Sequence, residues 1–333
     1  MDESRAVDIH GHFIIPELLK AEGRTEAWRY ELSHDSTGRV SVRRGNDTVP
    51  CHYEPMDLQR IVENMDMLRV GVMAINIAPF QMAYDLDAKT GANVARVANE
   101  SLIDASARFP DRFIAMGTLP MQDTDASTAE LSRIMSDGQM AGVELGSNVN
   151  GVYLGAERFR PVWEAISDLG AAVFVHPVNV LGADRLGEYF LANLIGNPVE
   201  SARCIADVVF SGLLEAFPDL RICFAHGGGA APILLGRWDH GFIKRPAAGQ
   251  RISRPPSEYL RMLYFDHITH SELALRYLID LVGADHVMIG TDYPFDMGPD
   301  EPVAWVQGSI ALSPSEKAAV MSGTARKFLR LKP

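Results

Sequence analysis

The chain of 333 residues has few cysteines and no long uninterrupted apolar run. Its three cysteines, Cys51, Cys204 and Cys223, are widely spaced and form no CxxC pair, which argues against a disulfide-framed secreted domain and predicts free thiols in a reducing compartment. The longest apolar stretch, residues 169–181, is broken by polar residues and a proline, and it falls short of the roughly 18 to 20 residues that cross a bilayer. The sequence therefore predicts no membrane span.

Positive charge is also scarce, because 31 Lys and Arg residues stand against 43 Asp and Glu residues, for a formal net charge of −12. An acidic surface repels nucleic acid and anionic membranes, and no basic stripe offsets it, so neither is expected as a partner. The first residues, MDESRAVDIHGHF, lack the basic and apolar regions of a signal peptide. These absences predict a cytoplasmic protein that acts on small molecules.

The sequence does contain a regular alternation of short apolar runs with segments of helical spacing. Hydrophobic residues make up 47% of the chain, enough for a large core. Short strands that are apolar on both faces are typical of a parallel sheet covered by helices, so the pattern predicts a single TIM-like (β/α)8 barrel over residues 1–333. The eight predicted strands are residues 6–10, 72–77, 113–119, 142–145, 172–176, 222–226, 263–266 and 287–290.

Two connections are longer than a barrel requires. The polar segment of about residues 17–56, after the first predicted strand, carries turn signals, and we interpret it as an inserted lid that contains a hairpin. A second insertion, residues 178–198, follows the fifth predicted strand. Both leave the face where barrels keep their chemistry, so we expect them to shape the substrate pocket. Residues 313–333 are predicted to form helices that close the barrel or join a subunit interface.

Potential metal ligands stand near the ends of the predicted strands. His10 and His12 are two residues apart on one strand and therefore share a face, while His176 and Asp292 follow the fifth and eighth strands. Three neutral nitrogens and one carboxylate suit Zn²⁺, with Mn²⁺, Fe²⁺ and Co²⁺ as alternatives, and disfavour Ca²⁺ and Mg²⁺. The sequence predicts one divalent cation bound by these four residues.

His226 precedes three glycines at the end of the sixth predicted strand. It is a candidate for a further metal ligand, for a partner of a ligand, or for a general base beside a metal-bound water, and we favour the acid–base role. Asp292 is a candidate for the proton shuttle as well as for a ligand. Two further acids have open assignments: Asp266 either orients His226 or caps a helix, and Glu144 either points into the barrel or is a paired core carboxylate.

Several arginines are candidates for binding a substrate carboxylate, because a guanidinium group pairs with a carboxylate through two parallel hydrogen bonds. For each of them a surface salt bridge is the alternative. Arg237 lies in the helical segment after the glycines, and the others lie in the two insertions. The candidates are Arg237, Arg185, Arg43 and Arg44.

These motifs resemble the amidohydrolase superfamily, in the branch with the aminocarboxymuconate semialdehyde, resorcylate and carboxyvanillate decarboxylases. The similar stretches are DIHGHF, LPMQD, FVHP, CFAHGGG with the following LLGR, RPPSEY and GTDYPF. The resemblance runs along nearly the whole chain. It implies a barrel with one divalent metal on His10, His12, His176 and Asp292, and with His226 acting on the metal-bound water or on the substrate.

The same resemblance implies a homodimer in which Arg237 binds a substrate carboxylate in the neighbouring subunit's site. The chain departs from the aminocarboxymuconate enzyme at two pocket positions. That enzyme has a carboxylate-binding arginine before a proline in its first loop, where this chain has Val49 before Pro50, and the aromatic residue that follows the His-Pro motif is here Val178. The substrate pocket is therefore altered.

The residues and the resemblance together predict a metal-dependent, non-oxidative decarboxylase of a carboxylated aromatic or muconate semialdehyde-like acid, with a role in aromatic-compound catabolism. A metal-dependent hydrolase of a C–N, lactone or vinylogous C–C bond is the alternative, because the same groups activate water. A non-catalytic binding protein on a barrel scaffold is the third reading. It predicts that ligand binding survives the loss of His10 or Asp292.

Overall fold

The eight apolar runs of the sequence form one parallel sheet. The computed structural model describes residues 5–19, 30–34, 40–44, 47–51, 57–136, 138 and 140–331. In chain order its strands are β1 (Ala6–Phe13), β2 (Tyr30–His34), β3 (Val40–Arg44), β4 (Asp47–Cys51), β5 (Val70–Ile77), β6 (Phe113–Thr118), β7 (Met140–Gly146), β8 (Asn148–Val149), β9 (Val152–Tyr153), β10 (Ala172–His176), β11 (Arg221–Phe224), β12 (Tyr264–Asp266) and β13 (Val287–Met288).

Eight of these strands make the barrel, in the order β1-β5-β6-β7-β10-β11-β12-β13. The sheet closes on itself because isolated parallel bridges join Asp8 to Ile289 and Gly11 to Tyr293. Along this seam the Ile9 amide donates to the Ile289 carbonyl at 2.9 Å. The predicted (β/α)8 barrel is confirmed.

The helices lie between the barrel strands, as the spacing of apolar residues predicts. Some of them have a first turn capped by a side chain that accepts backbone N–H groups, as Asp57, Asp123 and Ser271 do. The helices are α1 (Pro16–Leu19), α2 (Leu58–Met67), α3 (Ala88–Arg108), α4 (Thr124–Met135), α5 (Arg160–Leu169), α6 (Asn197–Phe210), α7 (Leu213–Ala216), α8 (Ala231–Lys244), α9 (Pro256–Leu260), α10 (Glu272–Val282), α11 (Pro302–Gly308), α12 (Pro314–Ala318) and α13 (Thr324–Phe328).

The barrel interior is a packed apolar layer beneath the polar mouth. Val7 and Ile9 of β1 point into it together with Phe174 of β10, and all three are fully buried. Phe328 and Leu329, at the end of α13, belong to the same buried cluster. Because the inside of the barrel is filled, the histidines of β1 can be reached only from the mouth.

The first insertion contains a small antiparallel sheet in the order β2-β3-β4. The predicted hairpin is present, with β4 as a third strand paired to β3. Residues 20–29, 35–39, 45–46 and 52–56 lie outside the described residues, as do the side chains of Arg43 and Arg44. The role of this insertion as a lid stays a prediction.

The second insertion runs from the end of β10 to α6. It contains a 3₁₀ turn, Ala183–Arg185, and a π-helical turn, Ala192–Gly196. Between them the side chains of Tyr189 and Phe190 are 82% and 53% exposed. The second insertion therefore presents two adjacent aromatic side chains to solvent.

The sequence predicted free thiols and no membrane span. Cys204 and Cys223 are buried free thiols, as predicted, and the side chain of Cys51 lies outside the described residues. Within the described ranges, every helix is too short or too polar to cross a membrane.

The buried His267 generates a prediction about acid stability. Burial lowers the pKa of His267 from its ordinary value of 6.5 to about 4. Below about pH 6.5 the His267 side chain is protonated in the unfolded chain but stays neutral in the native protein. The free energy of unfolding therefore decreases as the pH falls from about 6.5 to about 4. The loss amounts to roughly 3 kcal/mol from this residue.

His267→Asn should remove this component of the acid slope. The Nδ1 atom of His267 accepts a hydrogen bond from the Gly290 amide at 3.1 Å, and an asparagine oxygen offers a similar acceptor that does not titrate. Urea unfolding at pH 7, 5.5 and 4.5 would show a shallower decline in the free energy of unfolding for the variant. Identical slopes in the two proteins would contradict the assignment.

Candidate metal and active site

The predicted site residues converge at the carboxyl ends of the barrel strands. His10 and His12 lie on β1, His176 ends β10, His226 follows β11 and Asp292 follows β13. The ring centroid of His176 is 5.3 Å from that of His10, 5.2 Å from that of His12 and 5.1 Å from that of His226. Segments far apart in the sequence thus supply one compact group of imidazoles and a carboxylate.

Four of these residues offer ligand atoms that all lie within 4.8 Å of one another, namely His10, His176, His226 and Asp292. His12 is directly beside them, since its Nε2 atom is 3.0 Å from Nε2 of His10 and 3.3 Å from Oδ1 of Asp292. The structure brings all five predicted residues together. Whether His12 or His226 completes the ligand set stays open.

Each of the three buried histidines of the cluster directs its Nδ1 atom to an oxygen outside the cluster. A histidine whose Nδ1–H is held by an oxygen presents the lone pair of Nε2, which is the usual arrangement of a metal-binding histidine. The three bonds are His10 Nδ1 to Asp266 Oδ2 at 2.6 Å, His12 Nδ1 to the Ile77 carbonyl at 3.0 Å, and His176 Nδ1 to the Pro177 carbonyl at 2.9 Å.

The charges in the cluster leave an excess of negative charge. Burial raises the pKa of Asp292, but the charge of His10 and the adjacent histidine rings outweigh burial and hold that pKa well below its usual range. Burial lowers the pKa of His10, and the Asp292 and Asp266 carboxylates outweigh burial and raise it to about 10. Before a cation binds, two carboxylates therefore face one imidazolium in a buried space, and a cation that binds Nε2 of His10 would displace the proton from that atom.

The other two histidines are neutral at pH 7. Burial lowers the pKa of His176 well below its ordinary value, and His226, His12 and His10 lower it further. Burial likewise lowers the pKa of His12. Neutral imidazoles are the form that binds a metal.

The donor set fits a divalent cation. Oδ1 of Asp292 is buried and has no hydrogen-bond partner among the described residues, although Nε2 of His10 is only 3.2 Å away. A buried carboxylate oxygen without a hydrogen bond is costly, and a cation at this position would both satisfy it and neutralise the excess charge. Nitrogen donors with one carboxylate match Zn²⁺ or Mn²⁺ better than Ca²⁺.

Two site residues have left-handed backbone conformations. His226 has φ of 56° and Asp292 has φ of 54°, values that cost energy for residues other than glycine. The Asp292 amide donates to the His10 carbonyl at 2.7 Å, and the His226 amide donates to Asp266 Oδ2 at 2.9 Å. Gly229 has φ of 59° and packs so closely on Pro198 that a Cβ would meet its carbonyl oxygen at 2.3 Å.

The two acids with open assignments lie at the site. Asp266 accepts hydrogen bonds from the backbone of His226 and from the ring of His10, so it does orient His226. Glu144 points into the barrel, where its Oε2 atom is 3.8 Å from Nδ1 of His12. Burial and then the Asp292 charge raise the pKa of Glu144 well above its usual range.

Asp8 is a structural residue that lies next to the site, outside the group of possible ligands, and the sequence analysis missed it. Its Oδ1 atom accepts the His10 amide at 2.9 Å and the Thr291 amide at 3.1 Å, and its Oδ2 atom accepts the Thr291 hydroxyl at 2.7 Å. These bonds fasten β1 to the segment that carries Asp292. Strand alternation alone could not predict these bonds, because the pairing of β1 with β5 shifts register between Asp8 and Gly11.

The sequence analysis also missed Glu200, a residue of α6 whose side chain binds the backbone of the second insertion at Leu181. Its fully buried carboxylate accepts hydrogen bonds from the Leu181 amide at 3.0 Å, the Ser147 hydroxyl at 2.8 Å, the Asn148 amide group at 2.8 Å and the Tyr153 hydroxyl at 3.1 Å. No sequence pattern links these residues, which come from separate elements.

Two of the candidate substrate-binding arginines have side chains that the structure describes. Arg237 on α8 and Arg185 on the second insertion are both exposed. Neither forms an ion pair or a hydrogen bond with another described residue, so the alternative of a surface salt bridge has no support in the described parts of the chain. Their assignment to a substrate carboxylate stays a prediction.

The model of the amidohydrolase family matches residues 7–331. The chain therefore belongs to the amidohydrolase family, as the resemblance predicted. Among its relatives, the 2-amino-3-carboxymuconate-6-semialdehyde decarboxylase of Dictyostelium discoideum is 34% identical over 273 residues, which cover 82% of this chain and 76% of the relative.

Solved structures agree with this placement. The 5-carboxyvanillate decarboxylase of Sphingomonas paucimobilis has a TM-score of 0.82 at 25% identity and covers 98% of this chain and 99% of its own. The dihydroxybenzoic acid decarboxylase of Polaromonas sp. JS666, solved with bound manganese and 2-nitroresorcinol, has a TM-score of 0.79 at 22% identity, with coverage of 98% and 97%. The chain lies in the decarboxylase branch of its family.

The geometry predicts that His176 is required for metal binding. His176→Ala removes a nitrogen from the centre of the cluster, so we expect metal affinity to fall by more than the roughly 10- to 100-fold that follows loss of an outer hydrogen-bond partner. Metal content by mass spectrometry and chelator competition would measure this. The control is His240→Ala, which removes an exposed histidine of α8 and should leave affinity unchanged. Equal metal binding in both variants would refute the site.

Proposed function

We propose that this protein is a metal-dependent, non-oxidative decarboxylase of a carboxylated aromatic or muconate semialdehyde-like acid. The observation that carries the proposal is the buried cluster of histidines and Asp292 at the barrel mouth. Similarity to decarboxylases along most of the chain supports this reaction over the hydrolase alternative. The same similarity and the intact cluster speak against a non-catalytic binding protein.

The reaction exchanges a carboxylate for a proton. The bond between the substrate carbon and the carboxyl carbon breaks, CO₂ leaves, and the electron pair stays on the substrate carbon, which takes a proton. A conjugated enol, enamine or phenol stabilises the charge that develops. When bound, a divalent cation at this site would polarise the substrate oxygens and favour that charge.

We assign the proton transfer to the pair formed by His226 and Asp292. Nε2 of His226 lies 3.4 Å from Oδ2 of Asp292, and Asp292 is ionised because its pKa is held low. A histidine within hydrogen-bond reach of a carboxylate is oriented by it and can deliver a proton to the substrate carbon. Asp292 would thus hold the cation through one oxygen and orient the acid through the other.

The side chains beside the cluster suit a planar substrate. The ring of Phe295 lies 5.4 Å from that of His12 and 6.3 Å from that of Phe80, and both phenylalanines are partly exposed. Rings at such distances offer an apolar wall next to the polar cluster. A conjugated acid could place its flat face against this wall and its carboxylate towards the histidines.

For the cation we propose Zn²⁺, with Mn²⁺ as the alternative. Three imidazoles and a carboxylate favour zinc on chemical grounds. The Polaromonas protein, which has the same barrel fold, was solved with bound manganese, and this supports Mn²⁺ as the alternative. We further propose that the enzyme acts in the cytoplasm, in the breakdown of aromatic compounds, in line with its acidic surface and its free thiols.

We propose that the active form is a homodimer. The second insertion exposes Tyr189, Phe190 and Leu194, and the first turn of the neighbouring α8 exposes Ile233 at 75%. The two elements adjoin, since the Ala230 amide donates to the Pro198 carbonyl at 3.0 Å. A second copy of the chain on this surface would cover the apolar side chains and bring its Arg237 to the neighbouring site.

Product analysis separates the two enzyme readings. We expect protein loaded with Zn²⁺ or Mn²⁺ to release CO₂ from a substrate such as 2,6-dihydroxybenzoate, 5-carboxyvanillate or 2-amino-3-carboxymuconate-6-semialdehyde. His226→Gln should lower kcat by about 10²- to 10⁴-fold while metal content stays the same, because it removes the proton donor. An opened ring or two organic fragments without CO₂ would establish the hydrolase instead. A loss of metal in His226→Gln would make His226 a ligand.

Mixed dimers test whether Arg237 acts across the interface. Arg237→Ala and Asp292→Asn should each be inactive. If Arg237 serves the partner's site, a heterodimer of the two variants has one intact site, and random mixing restores about a quarter of the wild-type activity. If Arg237 serves its own chain, both sites of the heterodimer are defective and the mixture stays inactive. Light scattering on each sample confirms the dimer.

A further inference from the structure

Asp266 is a fully buried carboxylate at the end of β12 that accepts four hydrogen bonds. Its Oδ2 atom binds Nδ1 of His10 at 2.6 Å and the His226 amide at 2.9 Å. Its Oδ1 atom binds the Gly227 amide at 2.8 Å and the Ile268 amide at 3.1 Å. One oxygen therefore holds both a candidate metal ligand and the residue assigned to proton transfer.

All four hydrogen-bond partners of Asp266 are donors, so both oxygen atoms of its side chain must accept. The three amides can only donate, and Nδ1 of His10 must donate if its Nε2 atom is to face a cation. A carboxylate meets this demand because both of its oxygens accept. An asparagine at this position cannot, because in either orientation its amino group would face two donors and leave buried N–H groups unsatisfied.

We propose that Asp266 is a positioning residue that sets two features of the site at once, the metal-facing tautomer of His10 and the place of His226. With the proton of His10 held on Nδ1, the lone pair of Nε2 points into the cluster. The bonds to the His226 and Gly227 amides hold His226 at its φ of 56°. This inference rests on the proposed metal-dependent function.

The packing around the pair leaves no room for adjustment. At Gly290, just after β13, an added Cβ would lie 2.9 Å from the Cβ of Asp266 and 3.1 Å from the Cβ of His10. The Gly290 amide is itself held by Nδ1 of His267. Gly290 therefore packs against both His10 on β1 and Asp266 on β12. A change at one of these two side chains should displace the other.

Asp8 supplies a matched control. It is another fully buried aspartate bound to His10, but it accepts the backbone amide of His10 and does not touch the ring. An asparagine can replace it without loss. Its oxygen can accept the His10 and Thr291 amides, and its amino group can donate to the Thr291 hydroxyl, which then donates to the His10 carbonyl 3.3 Å away.

The test compares Asp266→Asn with Asp8→Asn in the full-length protein. We expect Zn²⁺ affinity, measured by chelator competition, to fall about 10- to 100-fold in Asp266→Asn. In Asp8→Asn it should change by less than about threefold, because no hydrogen bond is lost. A decrease of the same size in both variants would show a general effect of removing a buried charge and would overturn the proposal.

Proton NMR of the Zn²⁺-loaded protein gives a second, independent reading. The short bond from Nδ1 of His10 to Asp266 should produce a far-downfield proton resonance coupled to a histidine nitrogen. That resonance should remain in Asp8→Asn and vanish in Asp266→Asn. Its persistence in Asp266→Asn, or its absence from the wild-type protein, would contradict the assigned tautomer.

If Asp266→Asn fails to fold, Gly290→Ala takes its place. The added methyl group presses on both Cβ atoms and lengthens the bond between His10 and Asp266, so metal affinity should fall and the downfield resonance should shift. No change in either would overturn the proposal. None of these readings uses decarboxylation, so protein that binds Zn²⁺ as described but releases no CO₂ would refute the proposed reaction and leave the role of Asp266 intact.

Discussion

The burial of carboxylates at the barrel mouth is the constraint on which the rest of the site depends. An ionised carboxylate out of water is tolerated only when charged partners or hydrogen-bond donors replace the lost solvation. Asp266 and Asp8 meet this requirement with backbone amides, a histidine ring and a hydroxyl. Asp292 meets it only partly, and its unsatisfied oxygen faces the histidines. Asp266 and Asp8 therefore position neighbouring backbone and side-chain groups, whereas Asp292 has an oxygen available for a cation.

Much of this arrangement could be predicted from the sequence because strand periodicity carries it. Eight apolar runs separated by helical segments predicted the barrel, and the ends of parallel strands meet at one face, so His10, His176 and Asp292 had to lie near one another. The two-residue spacing of His10 and His12 fixed their common side. These are local rules, and the structure follows them.

The supporting contacts could not be predicted in this way because they join residues that no local pattern connects. The four donors to Glu200 come from β8, β9, the segment before β8 and the second insertion. The pairing of Asp266 with His10 spans 256 positions and depends on how two strands are placed around the barrel. The left-handed backbone of Asp292 likewise follows from closure of the seam, since its amide reaches across to β1.

The position of the candidate site on the seam has a consequence for the order of assembly. During synthesis His10 and His12 emerge about 280 residues before Asp292. The bridges that close the barrel join Asp8 to Ile289 and Gly11 to Tyr293. A nascent chain that lacks the segment after β13 has imidazoles but neither the final carboxylate nor the strand neighbours that orient β1. The proposed cation site would therefore be complete only in chains that include this segment and have closed the seam.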